Sequence, residues 1–166
     1  MQARIISAHA FPHFRRSPMK KVAALGMLVA CASFAIPAFA QFAKPEDAIK
    51  YRQSAMYVQG QHFGRIGAMA NARVPFDGPT AAANADVMVA MTKIAPAGFM
   101  AGSEGGKSKP EIWKDAAKFK EMADNWAAES VKLAAAARTN NLDNLKAAFT
   151  ATAGTCKACH DAYRSQ

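Results

Sequence analysis

The sequence predicts an all-α chain folded as an antiparallel up-down-up-down four-helix bundle. Three observations lead there. No stretch shows the period-two alternation of a half-buried strand, apolar residues recur in steps of three and four in four Ala-rich segments, and Gly- or Pro-bearing stretches interrupt those segments. Helices patterned this way bury their stripes against one another at shallow crossing angles.

Residues 1–40 are expected to be a secretory signal, leaving 41–166 as the folded domain. Met19-Lys20-Lys21 provides a basic start, Val22 to Ala40 is an uncharged run, and Ala38-Phe39-Ala40 forms an A-x-A cleavage site. Pro37 and the small-residue exit separate this run from a membrane span, so no stable membrane insertion is expected and the mature chain should be periplasmic. The residues before Met19 form an odd extension, in which Arg15-Arg16 superficially suggests a twin-arginine signal, and Met19 is the expected translation start. Leu28-Val29-Ala30-Cys31 also fits a lipoprotein box, but the apolar run continues past Cys31 to the better site.

Cleavage changes the charge. Losing Arg4, Arg15, Arg16, Lys20 and Lys21 takes 21 basic residues to 16 against 12 acidic ones, so the formal charge falls from +9 to +4. The remaining lysines are interspersed with acids, and no nucleic-acid partner is expected. Cys31 also goes, which leaves Cys156 and Cys159, too few for a disulfide framework.

The first helix opens at Pro45-Glu46-Asp47, with Pro in the first turn and acids at the positive end of the helix dipole. Its stripe is Ile49, Arg52, Met56, Gln59, Phe63, Ile66 and Ala70, with Arg52 and Gln59 its polar members. After the break at 74–79 a second helix is expected from about Thr80 to Ile94, with Ala83, Val87, Ala90 and Ile94 on one side. Residues 96–110 are too rich in Gly and Pro for a helix and long for a bundle loop, so Phe99 and Met100 are candidates to pack over a functional feature. Pro110-Glu111 starts a third helix striped by Ile112, Ala116, Phe119, Ala123, Trp126, Ser130, Leu133 and Ala137. The fourth is striped by Leu142, Leu145, Phe149, Thr152, Cys156, Cys159 and Tyr163.

Both thiols fall in "CKACHDAYR". A thioredoxin-like pair needs a helix N-terminus after a strand, whereas this one lies about four turns into a helix. Structural zinc needs four ligands, and His160 offers only one more. CxxCH is the c-type haem attachment signature, which uses every residue of the motif: two thioethers to one porphyrin and an adjacent imidazole for the iron.

With "QFAKPEDAIKYRQSAM" at the mature start and "KIAPAGFMAGSEGGKSKPEIW" in the long loop, nearly all of 41–166 resembles cytochrome c′, the class II c-type cytochromes, in which the motif is C-terminal. The resemblance implies one covalent haem c held by Cys156 and Cys159. It further implies a five-coordinate iron with His160 as axial ligand, and binding of NO and CO on a crowded distal face, often within a homodimer. Both NO handling and electron transfer to redox partner proteins are proposed for the family. No nucleophile-and-base constellation points to an enzyme.

By the same resemblance Met56 lies over the distal face, where it is expected to block without a bond. In the related low-spin cytochromes c-556 a first-helix Met does ligate iron, so the alternative is a six-coordinate electron carrier with Met56 and His160 as axial ligands. A Met on an apolar stripe is otherwise a flexible core filler. His62, six residues on and about 240° around the helix, points elsewhere and is expected at the surface. Arg52 carries a charge on a buried stripe, and a haem propionate is its expected partner, with snorkelling as the bland alternative. Nothing in the sequence distinguishes a haem-edge contact of Gln59 from exposure. Arg164, four residues after His160, is implied by the resemblance to sit in the proximal pocket, although a helix-terminal cation would serve the dipole equally well. Phe99 is the expected haem-packing aromatic; Phe119, Trp126 and Tyr163 are expected as packing.

Overall fold

The computed structural model describes residues 41–166. The expected signal, its cleavage site and the Met19 start lie outside the described residues. In chain order the elements are α1 (Pro45–Ala70), α2 (Gly78–Ile94), a 3-10 turn (Ala95–Phe99), α3 (Glu111–Lys114), α4 (Ala116–Arg138) and α5 (Leu142–Tyr163). α1 packs on α2 and α5, α2 on α4, and α4 on α5, so α1 and α4 are diagonal across a four-helix bundle.

Local chemistry sets the helix starts. Pro45 occupies the first turn of α1, where its missing N–H has no helical acceptor to lose. Asp77 accepts a hydrogen bond from Thr80 N at 2.7 Å and starts α2 two residues earlier than expected. Asn141 caps α5 by accepting from Asp143 N at 2.9 Å and Asn144 N at 3.1 Å. The third helix is not continuous from Pro110. Asp115 leaves helical geometry at φ −121, ψ 58 and accepts from Lys118 N at 3.2 Å, so it ends α3 and caps α4. Ala116, expected on the buried stripe, is exposed beside this break.

The α1 and α5 stripes lie as expected, with Arg52, Gln59, Ile66, Ala70, Leu145, Thr152 and Tyr163 buried. The α2 face is a correction. Ala83, Ala90 and Ile94 are exposed and Val87 is half-buried, while Ala81, Asn84, Ala85, Met88 and Thr92 form the inner face. This helix is apolar nearly all round, so hydrophobicity alone selects no side. Its two polar inner residues are satisfied locally: Asn84 Nδ2 donates to Thr80 O at 2.7 Å, and Thr92 Oγ1 donates to Val89 O at 2.8 Å. His62 is likewise half-buried rather than free at the surface, with Nδ1 2.8 Å from Asn84 Oδ1.

The core is divided along the bundle axis. At one end Ile66, Met69, Ala85, Met88, Leu133 and Leu145 form a closed cluster. Phe63 stacks on Phe149 at 4.5 Å between ring centroids, and a Cβ at Gly67 would meet the Phe149 ring at 2.8 Å. The C-terminal halves of α1 and α4 thus meet the N-terminal halves of α2 and α5, as antiparallel neighbours must. Toward the other end a small cluster of Ala55, Ala95 and Trp126 borders an open interior.

The turn and loop between α2 and α3 are pinned to α1. A Cβ at Gly98 would lie 2.6 Å from Arg52 Cβ and 2.9 Å from Ala48 O, closer than real atoms approach. Gly98→Ala is therefore expected to lower stability by about 1–3 kcal/mol through overpacking against the α1 backbone, measured as a reduced urea midpoint.

Candidate functional site

α5 carries the motif into that open interior. Cys156 and Cys159, one turn apart, are free thiols and half-buried. With His160 they line a cavity of about 690 Å³, within the range of ~300–1,000 Å³ usual for ligand and cofactor sites. α1 supplies Arg52, Met56 and Gln59 to the same cavity, α4 supplies Phe119 and Trp126, and Phe99 enters from the 3-10 turn. Arg164 also lines it, from beyond the helix: α5 ends at Tyr163, and Arg164 is extended and bridges to Ser108. All seven residues nominated from the sequence, Arg52, Met56, Phe99, Cys156, Cys159, His160 and Arg164, border one space. His62 does not.

Arg52 is only 2% exposed, and its partners were not foreseeable. Nη1 donates to Gly98 O at 2.8 Å, to Ser103 O at 2.7 Å and to Ser103 Oγ at 3.1 Å, while Nη2 donates to Gly105 O at 2.9 Å. Its carbon lies 5.1 Å from the Phe99 ring centre and 5.5 Å from that of Trp113. These carbonyls and rings account for the buried charge without an anion, so burial alone no longer calls for a propionate. Gly105 and Gly106 take the left-handed φ values of +131 and +60 that let the loop fold back on α1. Burial pulls the Arg52 pKa down, against a smaller opposing pull from Glu104.

A backbone strap borders the cavity. Lys109 N donates to Tyr163 O at 2.9 Å and Ser165 N to Lys107 O at 2.9 Å, tying the loop to the residues that follow the motif. Tyr163 meets Phe119 edge-on at 5.4 Å, and Phe119 packs on Phe99 at 5.0 Å. No sequence signal marks these backbone pairings, because backbone groups are common to every residue.

The electrostatics argue against a reactive redox thiol pair. Burial holds both thiols above their usual range, against a smaller lowering from the Thr155 hydroxyl at Cys156 and with the charge of Cys156 adding at Cys159. A reactive dithiol needs the opposite shift. Among the described residues no group of three or more His, Cys, Asp or Glu side chains gathers to hold a metal. Desolvation first, then the Arg164 charge, hold the His160 imidazole below its usual range, with Asp161 opposing. A neutral imidazole keeps a nitrogen lone pair available for a metal. Gln59 and Trp126, which both border the cavity, each carry a buried side-chain atom without a partner, Oε1 and Nε1 respectively. Each costs about 1–3 kcal/mol while nothing bonds to it.

Comparisons with known proteins agree with this geometry. The family model described as Cytochrome C′ matches residues 47–164. Cytochrome c′ of Alcaligenes xylosoxydans xylosoxydans is 47% identical over 126 residues, covering 76% of this chain and 99% of the relative. That of Rubrivivax gelatinosus is 43% identical over 129 residues, covering 76% and 100%. A nitric oxide complex of a mutant cytochrome c prime from Alcaligenes xylosoxidans superimposes with TM-score 0.73 at 46% identity, covering 76% of this chain and 99% of that one.

Proposed function

The chain belongs to the cytochrome c′ family, whose members carry one covalent haem c, and we propose that it is an exported, periplasmic protein binding nitric oxide, with carbon monoxide as a probe, at a five-coordinate iron. One observation carries this: Cys156, Cys159 and His160 share a single cavity with Met56 on the facing helix. When bound there, haem supplies an iron that takes a diatomic ligand. This chain's residues do the rest. The two thiols fix the position, His160 presents a neutral imidazole, and Met56 crowds the opposite wall, packed against the Ala55–Ala95–Trp126 cluster. The nitric oxide complex of the Alcaligenes relative supports the ligand class.

Export is proposed from the sequence alone; no helix among the described residues is long and apolar enough to cross a membrane. Arg52 is proposed to position the loop that carries Phe99, with a propionate as a further partner, and Arg164 to bias the imidazole. A homodimer is proposed too, since Tyr57 and Val58 of α1 are exposed apolar side chains with 69% and 39% of their surface free.

With haem held by Cys156, Cys159 and His160, a gaseous ligand would compete for space with Met56, whose displacement would cost of order 1 kcal/mol for an off-rotamer thioether. Met56→Ala is expected to speed carbon monoxide binding by roughly tenfold, the rate equivalent of about 1.4 kcal/mol. Absorption spectra with and without NO test the whole assignment. A large change supports the gas binder. An unchanged spectrum, with a sulfur-to-iron charge-transfer band that disappears in Met56→Ala, would instead assign a Met56–His160 electron carrier.

A further inference from the structure

His160 sits in the last turn of α5, just before the helix ends at Tyr163. The last turn is where a helix frays, because its final four carbonyls have no following N–H groups to accept from. A glycine in left-handed geometry past the end is the common remedy. α5 has none: Arg164 follows it in extended geometry, at φ −116 and ψ 128. Three of the four carbonyls nevertheless have donors. Arg164 N donates to His160 O at 3.0 Å. The other two are met by one residue of the loop, which lies 52 positions before Asp161: Lys109 Nζ donates to Asp161 O at 3.0 Å, and Lys109 N to Tyr163 O at 2.9 Å. The Asp161 carboxylate pairs instead with Lys157 Nζ at 2.5 Å, so the Lys109 ammonium serves the backbone. There it also meets the negative end of the helix dipole. Lys109 is anchored on its own side, since its carbonyl accepts from Ile112 N at 3.2 Å and Ile112, 3% exposed, borders the cavity.

We infer that Lys109 caps α5 from the loop and thereby positions His160. Lys109 does not itself border the cavity. It acts by keeping the turn that carries the imidazole helical. This rests on the haem assignment above and deepens it: the loop that Arg52 gathers on the α1 side of the cavity also holds the turn of the axial ligand on the α5 side.

The test compares the haem-loaded wild type with Lys109→Met, which keeps the backbone N–H and most of the stem, and Lys109→Arg, which keeps a donating cation. Lys109→Ala takes over if Lys109→Met fails to fold. Absorption spectra are recorded first, then amide exchange, then the iron–histidine stretching band of the ferrous protein by resonance Raman. For Lys109→Met the expected result is exchange about fivefold faster at Arg164 N–H, the effect of losing one hydrogen bond, with no change at Met88 in the closed end of the core. The iron–histidine band should shift or broaden as well, and Lys109→Arg should match the wild type in both measurements. Unchanged exchange overturns the cap. Faster exchange with an unmoved band overturns the positioning of His160, and failure of Lys109→Arg to match the wild type overturns the role of the cation. A wild-type sample without haem absorption, or without an iron–histidine band, fails the haem assignment or its five-coordinate iron instead, and exchange at Arg164 still decides the cap.

Discussion

Cys156→Ala combined with Cys159→Ala is expected to abolish retention of haem after denaturation. The wild-type chain, matured in a host that assembles c-type cytochromes, should keep its haem through acid-acetone extraction and weigh more than the bare polypeptide by the mass of one haem. Each thioether forms by adding S–H across a vinyl C=C bond, so the product needs no external oxidant and survives loss of the fold. Both thiols are free and stand one helical turn apart, so neither is committed to a disulfide. Either single variant should retain haem through the remaining sulfur. His160→Ala should differ in kind, leaving the covalent link intact and changing the spectrum of the iron. Complete extraction of haem from the wild-type protein would refute covalent attachment.

Arg52 carries the second large effect. Arg52→Met keeps much of the stem volume but strands the carbonyls of Gly98, Ser103 and Gly105, which the guanidinium now gathers from one turn and one loop. With some of them rehydrating as the loop loosens, the loss should be about 2–5 kcal/mol, read as a lower urea midpoint together with faster amide exchange over residues 98–106. Arg52→Lys should fall between, since an ammonium keeps the charge but lacks the planar fork that reaches several carbonyls together. If Arg52→Met unfolded at the wild-type midpoint, the loop would have to be held by the Tyr163 and Lys107 backbone pairings instead. Because Phe99 lies against Arg52 at 5.1 Å, loosening this loop should also reach the cavity wall.

How far the residues alone lead can be followed helix by helix. α1 and α5 were legible because one stripe in each recurs in steps of three and four, and that stripe carries Arg52, Met56, Cys156 and Cys159 on the inward face. α2 was not, because alanines and valines surround it; its inner face is the one on which Asn84 meets His62 of α1. The break at Asp115 was missed for a similar reason. A stripe counted in threes and fours passes through one non-helical residue without losing its rhythm.

Composition, periodicity and the CxxCH spacing therefore determined the helical class, the inward faces of the first and last helices, and the chemistry of the attachment motif, since each is a property of neighbours within a few turns. Tertiary structure decided what those residues meet. It gave Arg52 its loop carbonyls, set the strap of residues 107–109 against 163–165, and turned α2 so that Asn84 meets His62. These are contacts between atoms tens of residues apart, and local spacing carries no information about which distant backbone group will arrive.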